Sequence, residues 1–96
     1  MTKEKILKAL KEKKSYIQKT YELDKIGLFD SYAKDRQTDD SDMDIYVEFN
    51  HKTFDNLAGL WVYLEELYHK KIDIFHKHKN NNEVIASNIQ KEIIYV

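Results

Sequence analysis

The sequence predicts an α+β fold, a small mixed β-sheet with helices packed on it. Three observations carry this. Residues 2 to about 20 and 54 to 69 repeat apolar side chains at intervals of three and four, the period of an amphipathic helix. Residues 42 to 49 and 71 to 75 alternate apolar with polar side chains, the period of a strand. The chain has 96 residues, enough for one domain with a modest core.

Thr2 is placed to cap the first helix. Ile6, Leu10, Ile17 and Tyr21 form its apolar stripe, with Leu7 beside it. Lys3, Lys5, Lys8, Lys11, Lys13, Lys14 and Lys19 crowd the rest and read as a solvated face. The sharper reading is a basic surface for an acidic partner or RNA. Residues 24 to 30 read as the first strand, Ser31 to Lys34 as a short helix or turn, and 35 to 41 as a polar loop. The second strand follows at 42 to 49. Residues 50 to 53 connect it to the second helix, which Thr53 caps. Leu57, Leu60, Trp61, Leu64, Leu67 and Tyr68 make this the clearest amphipathic helix. They read as core, with Trp61 or Tyr68 as an alternative anchor for a partner. The third strand spans 71 to 75, with Ile72 and Ile74 on one face and Lys71, Asp73 and Phe75 on the other. Residues 76 to 82 read as a polar loop and 83 to 92 as a last helix with Val84, Ile85 and Ile89 inward. Residues 93 to 96 form an extended apolar tail that should dock on the rest. No internal repeat is visible, and a single domain is expected.

Composition removes several classes. Lys plus Arg is 16 against 17 for Asp plus Glu, so the chain does not grip nucleic acid through net charge. It has no cysteine, hence no disulfide framework or thiol chemistry. No apolar run approaches the roughly 18 residues of a membrane span, and no continuous apolar signal region follows the first lysines. The expected location is the cytoplasm.

The chemistry concentrates where four aspartates fall within residues 39 to 44 with no lysine or arginine among them. That density of charge costs Coulomb energy unless water or a cation answers it. Met43, Ile45, Val47 and Phe49 share the core face of the second strand. Asp42, Asp44, Tyr46 and Glu48 share the other. Asp42 and Asp44 then project together, with Cα atoms about 6.5–7 Å apart, and can ligate hard divalent cations. An EF-hand fits Asp40, Asp42 and Asp44 but fails at Ile45, where that loop requires glycine, and at His51, where it requires glutamate. Asp73 is poorly suited to burial in a short apolar strand. If the third strand lies beside the second, Asp73 completes a triad. His76 and His78 lack further ligands at zinc spacing and read as an exposed loop.

Ser31, ten residues, then Asp42-Met43-Asp44 resembles the signature of the minimal nucleotidyltransferases of the DNA polymerase β superfamily: Gly-Ser, ten residues, Asp-x-Asp. Gly27-Leu28-Phe29, Tyr32-Ala33-Lys34, Asp40-Ser41-Asp42 and Val47-Glu48-Phe49 fit as flanks. The resemblance runs on through Lys71-Ile72-Asp73-Ile74 to Ile94-Tyr95-Val96. One departure stands out: the motif glycine is Asp30 here.

The resemblance implies a polymerase β-like nucleotidyltransferase core, with residues 1–96 as a single minimal domain. It implies Asp42, Asp44 and Asp73 as catalytic residues and as ligands of Mg²⁺ or Mn²⁺, with ATP as substrate. Ser31 would hydrogen-bond the β- or γ-phosphate, and Lys34 would contact phosphate. Asp30, at the nucleotide, brings bulk and charge where glycine lets the backbone approach. A chain without further nucleic-acid-gripping domains resembles the antitoxin half of a toxin–antitoxin pair. Its partner would be a HEPN-domain ribonuclease toxin, on which it transfers AMP to a tyrosine. Asp30 leaves a second expectation open, a non-catalytic antitoxin that neutralises by direct binding. A transferase acting on a small molecule or RNA is a third. Homo- or hetero-oligomers are compatible with all three.

Overall fold

A computed structural model describes residues 2–29, 43–78 and 93–96. The element order is α1 (Lys3–Tyr21), β1 (Leu23–Phe29), β2 (Met43–Phe49), α2 (Phe54–Tyr68), β3 (Ile72–His78) and β4 (Ile94–Tyr95). The sheet order is β3-β2-β1-β4. β1 runs antiparallel to β2 and β4, and β2 runs parallel to β3. The expected mixed sheet is present, and both helices pack on one of its faces.

Both threonine caps form as expected. The Thr2 hydroxyl accepts from the Lys5 N–H at 3.3 Å, and the Thr53 hydroxyl from the Asn56 N–H at 3.0 Å. Ile6, Leu10 and Ile17 of α1 and Leu60 and Leu64 of α2 have no exposure. They meet Ile26, Leu28, Met43, Ile45, Val47, Phe49, Ile72 and Ile74 from the sheet in one apolar cluster. Tyr21 is half-buried at the margin of that cluster rather than inside it.

α1 stops at Glu22, which adopts the left-handed conformation at φ 57°. Its carbonyl accepts from the Asn50 N–H at 2.7 Å, and its carboxylate meets Asn56 Nδ2 at 2.8 Å and His51 Nδ1 at 3.3 Å. The turn after α1 and the connector before α2 thus stabilise each other.

Two helix residues 62 positions apart are joined where Tyr68 donates its hydroxyl to the Ile6 carbonyl at 2.8 Å. Burial pushes the Tyr68 hydroxyl well above the ordinary phenol range. A raised folded-state value means that its contribution is complete below the unfolded value, about 10, and is lost as pH rises further. Stability is therefore expected to fall from about pH 10 upward. Tyr21, Tyr63 and Tyr95 are pushed the same way, burial first, so Tyr68→Phe should flatten the alkaline slope without abolishing it. Melting temperature against pH for both proteins checks this.

β3 is longer than the sequence suggests. Residues 76 to 78, expected in a polar loop, continue the strand because Val47, Glu48 and Phe49 of β2 are parallel partners for His76, Lys77 and His78. The His76 ring meets Phe49 edge-on at 6.3 Å between centroids. The apolar tail docks as β4, with Tyr95 opposite Gly27 and Ile94 opposite Leu28. A Cβ at Gly27 would lie 2.6 Å from Ile93 Cγ2 and 2.9 Å from the Ile94 carbonyl oxygen. Gly27→Ala is therefore expected to cost about 1–3 kcal/mol and to loosen β4. Faster exchange of the Val96 amide, which donates to the Ile26 carbonyl at 3.2 Å, reports the loosening. The turn expected at 31–34, the loop at 35–41 and the helix at 83–92 lie outside the described residues.

Candidate active site

Every residue of β2 is buried, on both faces of the strand. β2 is an interior strand of the sheet, with β3 on one side and β1 on the other. Met43, Ile45, Val47 and Phe49 point into the apolar cluster beneath the helices. By alternation Asp44, Tyr46 and Glu48 point to the other face. Asp44 is 9% exposed and Glu48 5%. The sequence shows that these three share a face; only the fold shows that the face is buried.

β3 supplies the second carboxylate. The parallel register sets Asp44 directly beside Asp73, on the same face. Adjacent strands lie about 4.8 Å apart, so the two carboxyl groups can reach one ligand between them. The condition set by the sequence, that the third strand neighbour the second, is met. The register is held at this end of the sheet, where the Met43 N–H donates to the Lys71 carbonyl at 3.1 Å. α2, the crossover between β2 and β3, also reaches the start of β3. Trp61 Nε1–H donates to the Ile72 carbonyl at 2.6 Å, and the Ile72 N–H donates to Glu65 Oε2 at 3.4 Å. The sequence places Trp61 in the core, or as an anchor for a partner, and gives Glu65 no role; their spacing of four is the available signal.

Further along the same face, Tyr46 donates its hydroxyl to Glu48 Oε2 at 3.0 Å. Tyr95 stands edge-on to Tyr46 at 6.3 Å, with Lys25 Nζ 5.7 Å from its ring centre. The Tyr95 hydroxyl is pushed above its ordinary value, by burial first and then by the Glu48 carboxylate.

Asp42 and the expected nucleotide-binding residues Asp30, Ser31 and Lys34 lie outside the described residues. Of the expected triad, two members are therefore seen together. Like charges directly opposite on neighbouring strands are destabilising, and hard oxygen donors suit Mg²⁺ or Mn²⁺. Asp44 and Asp73 are the described residues that would hold such a cation. No helix among the described residues is long and apolar enough to cross a membrane.

A family model described as polymerase beta nucleotidyltransferase matches residues 4–96. The chain belongs to that family, within its minimal nucleotidyltransferases. It is 35% identical over 94 residues to MJ1379 of Methanocaldococcus jannaschii, assigned as a protein adenylyltransferase, covering 95% of this chain and 94% of that protein. A solved structure described as a minimal nucleotidyltransferase superposes with a TM-score of 0.78 at 25% identity, covering 98% of this chain and 95% of the other. A toxin–antitoxin crystal structure with AMP-PNP superposes with a TM-score of 0.63 at 25% identity, covering 99% of this chain and 72% of that chain.

Proposed function

We propose that this chain is a cytoplasmic antitoxin that transfers AMP from ATP to a tyrosine of a cognate HEPN ribonuclease toxin. The observation that carries the reading is the pairing of Asp44 with Asp73 across two parallel strands. The relative assigned as a protein adenylyltransferase supports a protein acceptor. The toxin–antitoxin structure with AMP-PNP supports both the partner class and an adenine nucleotide.

In this reading residues 1–96 act as one minimal domain. Asp42, Asp44 and Asp73 would hold Mg²⁺ or Mn²⁺, which would supply neutralisation of the triphosphate and a more acidic acceptor hydroxyl. Asp73, on the acceptor side, takes the tyrosine proton. The tyrosine oxygen forms a bond to the α-phosphorus as the bond to the β-phosphate oxygen breaks, and pyrophosphate leaves. Ser31 and Lys34 hold the phosphate oxygens. Asp30 weakens nucleotide binding through repulsion and bulk at a position where the motif has glycine.

The test is the intact mass of the cognate toxin after incubation with this protein, ATP and Mg²⁺, with an Asp30→Gly variant alongside. A gain of AMP with either protein supports the transferase. A larger gain with the variant assigns the impairment to Asp30. No gain with either, while the two proteins still co-purify, replaces this reading with a non-catalytic antitoxin that acts by binding.

A further inference from the structure

We propose that Trp61 and Glu65 of α2 are positioning residues that set where the Asp73 carboxylate stands. The inference rests on the reading of Asp73 given above and adds two residues outside the proposed ligand set, both bonded to the Ile72 backbone.

β3 lies at the edge of the sheet, with β2 on one side. Along such a strand, alternate residues turn both backbone groups toward the neighbour and both away from it. Ile72, the first residue of β3, has its two backbone groups taken by α2. Its carbonyl accepts from Trp61 Nε1–H at 2.6 Å, and its N–H donates to Glu65 Oε2 at 3.4 Å. Trp61 and Glu65 are four apart on α2, so they stand on one face of the helix, one turn apart. The preceding residue is held from the opposite side, since the Lys71 carbonyl accepts from the Met43 N–H at 3.1 Å.

The consequence concerns Asp73. It follows Ile72 directly and lies opposite Asp44. With the peptide groups before it tied to β2 and to α2, the start of β3 can neither slide nor rotate freely. A one-residue slip would carry the carboxylate to the other face of the sheet. A smaller twist would still move it relative to Asp44, and a misplacement of about 1 Å costs on the order of a hundredfold in rate. Glu65 offers an acceptor, not a charge, to Ile72. Gln keeps that acceptor; Ala removes it. Trp61→Phe keeps most of the half-buried ring and removes only the donor.

The experiment measures Mn²⁺ affinity, by titration followed through the Mn²⁺ paramagnetic resonance signal, and transfer kinetics with Mg²⁺–ATP and the toxin. The proteins are the parent chain, Trp61→Phe, Glu65→Ala, Glu65→Gln and Asp73→Asn. Trp61→Phe and Glu65→Ala are expected to weaken Mn²⁺ binding and to lower kcat by about 10- to 100-fold, the usual effect of losing a group that orients a ligand. KM for ATP should move little, because the affected carboxylate is on the acceptor side. Glu65→Gln is expected to recover most of both quantities, and amide exchange at Ile72 should be slow in the parent and in Glu65→Gln but fast in Glu65→Ala. Parent-like Mn²⁺ affinity and kcat in both Trp61→Phe and Glu65→Ala, with Asp73→Asn defective, overturns the positioning role and leaves Asp73 in place. Parent-like behaviour of Asp73→Asn itself overturns the reading of Asp73 instead. Melting temperature without metal identifies any variant whose loss is one of folding, and the recovery by Glu65→Gln separates positioning from folding at that site.

Discussion

Asp44→Asn and Asp73→Asn are each expected to lower AMP transfer by about a thousandfold, equivalent to ~4 kcal/mol of transition-state stabilisation. The two positions face each other across parallel strands, so in the proposed site each supplies one of the three carboxylates. Asparagine keeps the shape of the side chain and removes its charge. Metal binding should change with it. A cation at ten times its dissociation constant stabilises the folded chain by roughly 1.4 kcal/mol, which for a chain of this size raises the melting temperature by about 5–10 °C. Mg²⁺ or Mn²⁺ should produce that rise in the parent and little of it in either variant. A full rise in both variants would remove Asp44 and Asp73 from the metal site. This thermal readout does not depend on having the right acceptor in the tube.

Phe49→Ala should be the most destabilising of the simple substitutions, at about 3–5 kcal/mol. Phe49 is among the largest side chains with no exposure. It ends β2, where Leu23 of β1 and His78 of β3 are its partners in register. Truncation leaves a cavity that strands on both sides prevent from closing. A chain of this length has roughly 5–14 kcal/mol of stability in all, so the loss is a large share. The urea midpoint is expected to fall by about 2 M. Phe54→Ala offers the contrast. Phe54 is 81% exposed, and its truncation in dilute solution should stay within about 0.5 kcal/mol.

Much of this architecture can be read without coordinates. The caps at Thr2 and Thr53 are legible because a hydroxyl three residues before an unbonded N–H is a local matter. The faces of β2 and β3 are legible because side-chain alternation is independent of what covers them. The length of β3 is not legible, since His76, Lys77 and His78 look like loop residues until β2 offers them a ladder. Nor is the reason for Gly27, whose missing Cβ makes room for a strand almost 70 residues later in the chain.

The candidate site divides the same way. The sequence by itself determined the residue types and their faces: carboxylates at 42, 44 and 73 entering or lying within apolar alternation, in a pattern that resembles the family motif. Periodicity is a property of the local backbone and needs no partner. Only the tertiary structure decided that Asp44 and Asp73 stand side by side, that Tyr46 and Glu48 are buried along with Asp44, and that α2 reaches across to hold Ile72. These depend on which strands pair and in which register. That choice is made by the fit of a buried apolar face summed over many residues, and no single stretch of the chain contains it.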